Sequence, residues 1–142
     1  MAGIEVVPFG LLVFVVGTLM VVNAWAVVDV KMAVASAARE STRAYVEAAA
    51  GSDPAAAAER AGREAVSGFG RDPARLTLSQ VGAAFVRCQV VTFEARYPVP
   101  AITLPLLGGQ GTAFTARARH TEVVDPFRSG VPLGTRRCDF AP

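Results

Sequence analysis

Few side chains in this sequence have the type and spacing to do chemistry, and the most unusual is Glu5. It stands at the edge of residues 6–28, a run without charge in which only Thr18 and Asn23 are polar. An ionised carboxylate in an apolar setting is costly unless an opposite charge neutralises it. Glu5 therefore points to charge pairing rather than to acid–base catalysis. The second chemistry is that of sulfur. Cys88 and Cys138 are fifty residues apart, lack a CxxC spacing and share the chain with one histidine, His120. That set does not suit a zinc site and suits a disulfide if the residues lie in an oxidising compartment; two separate buried thiols are the other reading.

The remaining candidates carry less. Gly108-Gly109-Gln110-Gly111 lacks the Lys-Ser/Thr of a phosphate loop and opens no helical pattern, so it reads as a hairpin connection. Ser79 and Ser129 have no nucleophile-elbow context. His120, among Arg119, Thr121 and Glu122, reads as a solvated strand residue, and Glu122 and Asp125 suggest no acid–base pair. Arg117, Arg119, Arg128, Arg136 and Arg137 tilt the later chain towards positive charge. Most read as solvated face, with contact to an acidic surface of a neighbouring subunit as the lesser reading. The expectation is a protein that is not an enzyme and uses no cofactor or metal. A net charge of +2 is too small to suggest a nucleic-acid partner.

These residues need elements to position them. At about 1.5 Å per residue, residues 6–28 reach across a hydrocarbon core of about 30 Å as one helix. The run is too long for the apolar core of a signal peptide, has no basic stretch before it and offers no small-residue cleavage site before Asp29, so it reads as retained. Gly3, Gly10, Gly17 and Ala24 recur every seventh residue, a seam of small residues along which helix backbones can approach closely. The general abundance of glycine in membrane helices is the plainer explanation. Pro8 lies near the start, where a missing N–H costs least.

From Asp29 the pattern turns amphipathic. Val30, Val34, Ala37, Ser41, Tyr45 and Ala48 share one face, while Asp29, Lys31, Arg39, Glu40, Arg43 and Glu47 lie mostly on the others. The reading is one helix from near Met1 to about Ala50, with residues 1–28 as its membrane or filament-core half and 29–50 as its amphipathic half. Gly51 ends it.

Residues 51–142 read as a small α+β domain. Asp53 as N-cap and Pro54 at the first helical position start a second helix, which Gly68-Phe69-Gly70 stops after about Ser67. A turn at Arg71-Asp72-Pro73 leads to period-two segments: one from Leu76, one from Phe85 to Tyr97 whose parity slips at Val90-Val91, and one from Phe114 to near Val124. The slip suggests a bulge. Pro98, Pro100 and Pro105 argue for a loop or edge segment after Tyr97. The tail from Pro126 reads as irregular, held mainly by Cys138. The fold class expected is a long amino-terminal helix running into a helix-plus-antiparallel-sheet domain.

Met1-Ala2-Gly3-Ile4-Glu5-Val6-Val7-Pro8 followed by a long apolar helix resembles the start of mature type IV pilin-like proteins. These begin after a cleaved glycine and carry glutamate at the fifth position, so the match takes Met1 as the first residue of the processed protein. The segment is most similar to TadE-like proteins, components of the Tad branch that assembles Flp-type pili. About the first fifty residues carry the likeness, with Tyr97-Pro98-Val99-Pro100 matching more loosely. The resemblance implies a structural subunit, a major or minor pilin, that waits in the cytoplasmic membrane and is then drawn into an extracellular filament. It implies as partners identical or related pilin subunits, a prepilin peptidase and the pilus assembly machinery. Glu5 would pair with the Met1 amine of the adjoining subunit, and Gly3, Gly10, Gly17 and Ala24 would line the contact. A composition of 52% hydrophobic and 18% charged residues suits an anchored or polymerised protein better than a freely soluble one. The alternative is a single-span membrane protein with an extracytoplasmic binding domain that never polymerises. Such an anchor has no need of a carboxylate at position 5.

Overall fold

The structure is a computed structural model that describes residues 6–82, 84–100, 112–134 and 138. Met1, Gly3, Glu5, the glycine cluster at 108–111, Arg136 and Arg137 lie outside the described residues. The first element is a single helix, α1, over Val6–Val46. Nothing in its sequence after Pro8 interrupts it: valine and alanine dominate, no second proline follows and glycine appears only at Gly10 and Gly17. The helix stops four residues short of the expected Ala50, and residues 47–50 lead to Gly51, whose φ of +82° suits glycine at a chain reversal. The second helix, α2, covers Pro54–Gly68, and the Asp53 carboxylate accepts from the Ala55 and Ala56 N–H groups at 2.9 and 3.2 Å. α2 runs back antiparallel along the upper half of α1. The expected turn at residues 71–73 is a 3-10 turn at Pro73–Arg75 with Asp72 as its cap.

Three strands, β1 (Thr77–Gly82), β2 (Val90–Pro100) and β3 (Thr112–Val123), form an antiparallel sheet in the order β1-β2-β3. The fold is thus α+β, with the helices on one face of the sheet. Two expectations for β2 need correction. The strand does not begin at Phe85, so the parity slip at Val90-Val91 marks its start; the irregularity lies instead between Val99 and Pro100. Pro98 and Pro100 also belong to the central strand, while Pro105 lies outside the described residues. They are tolerated because β1 pairs only as far as Arg96, which leaves the β1-facing edge of β2 bare at Pro98 and Pro100.

The core lies between α1 and the sheet in two clusters. Val30, Val34, Ala37 and Ala38 pack on Tyr97, Val99, Ala116, Leu76 and Val66. Further along, Tyr45 and Val46 pack with Ala58, Val91, Phe93, Val124 and Val131. The ring of Tyr45 stands edge-on to Phe85 and tilted to Phe93, both at 5.4 Å, and its hydroxyl meets Gln80 at 3.0 Å. α1 and α2 lie close at Ser41 and Gly62, where a Cβ on Gly62 would fall 2.3 Å from Ser41 Oγ.

The tail is held by more than its cysteine. Cys88 and Cys138 come within disulfide reach, with Cα atoms 5.2 Å apart. Val131 is buried, Arg87 Nε donates to the Val131 carbonyl at 2.7 Å, and Leu133 bridges to Arg87.

Candidate functional site

The lower half of α1 is the site the fold leaves open. No residue of its most apolar stretch is buried, and the helix is long and apolar enough to cross a membrane. Val7, Phe9, Phe14, Met20, Val21 and Trp25 are all about two-thirds exposed or more. Apolar side chains point in every direction around this half, so no one-sided partner within the chain could cover it. Its two polar residues are turned inward on the backbone. Thr18 Oγ1 donates to the Phe14 carbonyl at 2.8 Å and Asn23 Nδ2 to the Leu19 carbonyl at 2.7 Å. Both thus satisfy themselves within the helix, as an apolar surrounding requires.

The small-residue seam is physically open. A Cβ built on Gly10 or Gly17 meets nothing within 4 Å, and Ala24 is exposed. Beside Gly17 the surface dips into a shallow notch lined by Val13, Phe14, Thr18, Val21 and Val22. Of the residues the sequence singles out for subunit contact, the described ones lie on this bare half; Met1, Gly3 and Glu5 lie outside the described residues.

Where α1 meets the domain, Asp29 accepts from Arg71, with Oδ2 2.6 Å from Nη2 and 3.2 Å from Nε. This half-exposed pair ties the first charged residue of the helix to the far end of α2. Arg75 lies over the Tyr97 ring at 5.5 Å and donates to the Pro98 carbonyl at 3.3 Å. At the other end of α1, Arg128 reads as solvated face by sequence and is instead a cap. Its guanidinium donates to the carbonyls of Val46 at 2.6 Å, Ala48 at 2.7 Å and Glu47. These are the carbonyls a helix end leaves unpaired, and a cation there also suits the helix dipole.

The outer face of the sheet, away from the helices, carries Thr77 and Ser79 of β1, Thr92, Glu94 and Arg96 of β2, and Arg117, Arg119 and Thr121 of β3. Glu94 is 2% exposed although it lies on this face, because Arg96 and Arg119 fold over it and donate their Nε–H groups to its two oxygens. The bonds from Arg96 and then Arg119 hold its carboxyl below the usual glutamate range against the opposing effect of burial. Sequence alone offered no sign of this cluster, since Glu94 and Arg119 belong to different strands.

His120 corrects the sequence reading. It stands opposite Phe93, on the helix-facing side of β3, half-buried with Nε2 3.0 Å from Glu122 Oε1. Its carbonyl accepts from Thr42 of α1 at 3.3 Å. Compared with known protein families, with curated proteins and with solved structures, the chain gives no match.

Proposed function

We propose that the protein is a structural subunit of a Tad or type IV-like pilus. In this reading the lower half of α1 holds it in the cytoplasmic membrane before assembly and lies in the core of an extracellular filament afterwards. The observation that carries the reading is the bare half of α1. It is apolar on every side, continuous with a domain that buries the other half of the same helix, and seamed by small residues that meet no neighbour in the chain. A helix of this kind needs an apolar surrounding, and lipid and a bundle of like helices both provide one. The amino-terminal resemblance favours the bundle as the final state. Glu5 then marks entry: its carboxylate pairs with the amino-terminal amine of the adjoining subunit, and neither charge can be buried cheaply alone.

The test is Glu5→Val, compared with the unaltered protein in membranes and in sheared filament fractions. The substitution relieves a polar group in lipid but breaks a buried pair in a filament, at about 3–5 kcal/mol. The expected outcome is normal membrane localisation with the variant depleted from sheared filaments. Equal recovery of both proteins in the sheared fraction would leave a non-polymerising single-span protein as the better description.

A further inference from the structure

We infer that the domains of neighbouring subunits join head to tail, with Phe127 of one seated in a notch beside Met32 of the next; this rests on the filament proposed above. Phe127 is 90% exposed, the most exposed large hydrophobic side chain among the described residues. The backbone that presents it is pinned on both sides. Its N–H donates to Asp125 Oδ1 at 2.8 Å, and Arg128 is fastened to the carbonyls that end α1. Two residues further on, a Cβ on Gly130 would fall 2.6 Å from Ala50 Cβ. An aromatic side chain on a backbone already ordered loses little freedom on binding, which is what an interface anchor needs.

The notch lies lower on the same helix. Met32, Ala35, Ser36, Arg39 and Glu40 line it at helical spacing, on the side of α1 that its buried residues leave open, and Phe69, just past α2, completes it. It measures about 240 Å³, and Met32 within it is 57% exposed. An apolar space of about 150 Å³ takes benzene, so a phenyl ring fits, and the Met32 sulfur suits an aromatic neighbour. Phe127 cannot reach the notch of its own chain. It stands by the end of α1, and Met32 lies fourteen residues before Val46, about 21 Å down the helix.

Charge and spacing both favour a second copy of the chain as the occupant. Asp125 and Arg128 flank Phe127, and Arg39 and Glu40 rim the notch, one acid and one base on each side. Arg128 is spent on the α1 carbonyls and Glu40 lies in the field of Arg43. Asp125 and Arg39 have no ion-pair partner among the described residues, so they are the pair the contact joins. Seating Phe127 against Met32 sets the neighbour, its helix parallel, fourteen residues higher along the axis. That shift is twice the seven-residue interval of the small-residue seam, so Gly10 of the upper subunit lies level with Ala24 of the lower. One displacement therefore satisfies the domains and the helices together. Because knob and notch are different surfaces, the contact repeats along an open chain of subunits, as a filament requires.

Photocrosslinking in sheared filaments tests this. Phe127 is replaced by p-benzoylphenylalanine, which keeps an aromatic ring there, in full-length subunits diluted into unaltered ones, and irradiated filaments are mapped by mass spectrometry. The expected product joins position 127 of one subunit to the Met32 or Phe69 peptide of another, and unassembled protein in detergent does not give it. Phe127→Ala should lower filament yield about tenfold while leaving denaturant unfolding of the detergent-held subunit unchanged. Arg39→Glu, which turns attraction to Asp125 into repulsion, should lower the yield about fivefold, and less at high salt. Filaments that cross-link at another face, or not at all, overturn the proposal. So does a product joining position 127 to position 127, which assigns a closed symmetric pair, and so does an unchanged yield for Phe127→Ala. Absence of filaments from the unaltered protein fails at the earlier step and overturns the subunit reading itself.

Discussion

Residues 6–28 and 30–46 belong to one unbroken helix, yet a large aromatic on the first, Phe14, is 70% exposed and one on the second, Tyr45, is 5% exposed. Hydrophobicity alone does not separate the halves; the arrangement of the apolar residues does. In the upper half they form a stripe, with Lys31, Arg39, Glu40, Arg43 and Glu47 on the remaining surface, and a sheet and a second helix are enough to seal that stripe. In the lower half they go all round, and no single sheet could cover them. The same backbone thus serves as the spine of a folded domain at one end and as a surface awaiting an environment at the other.

The sharpest way to break this comparison is to truncate one aromatic in each half. Tyr45→Ala removes a ring packed on Phe85 and Phe93 and should cost about 3–5 kcal/mol in denaturant unfolding of the detergent-held chain. Phe14→Ala should leave that unfolding curve in place while weakening membrane retention. Should both shift the curve alike, the lower half is packed on the domain and its bare surface is an error.

Glycines give a finer contrast. Alanine at Gly62 would place its Cβ 2.3 Å from Ser41 Oγ and 2.8 Å from Leu78 Cδ1, so these side chains must turn aside or the helices part, at up to about 1–3 kcal/mol. Alanine at Gly17 meets nothing and should leave the isolated subunit as stable as before, or more stable by up to about 1 kcal/mol through helix propensity. If the seam is used between subunits, Gly17→Ala should still lower filament yield. An unchanged yield removes the seam from the assembly contact without touching the rest.

The smallest effect belongs to Glu94 and concerns the domain alone. Its carboxyl is held below the ordinary glutamate value of 4.5 in the folded state. A carboxyl of lowered pKa binds fewer protons folded than unfolded, so its contribution is present above that value and is lost as pH falls below it. Acid titration of thermal stability should show this loss, and Glu94→Gln should remove it from the profile. Because Arg119 is 69% exposed, added salt should blunt the effect as well. A Gln variant with an unchanged acid profile assigns the pH dependence to other groups.

Much of this architecture follows from residues close together in the chain. The uncharged run, the switch to a striped pattern at Asp29, the Asp53-Pro54 helix start and the alternation along β3 depend on neighbours one to four positions away. Local sterics, capping and periodicity decide such features before any distant contact forms. Other features exist only because the topology brings distant residues together. Arg71 finds Asp29 across 42 positions, Arg128 reaches the last carbonyls of α1 across about 80, and Glu94 is shielded by an arginine from the next strand. Pro98 and Pro100 read locally as strand breakers, and only the shortness of β1 made room for them. Single-residue propensity carries no information about which element will lie alongside, so the ties between helix and domain waited on tertiary contact, whereas the bare helix was already written in a run that no local rule could make one-sided.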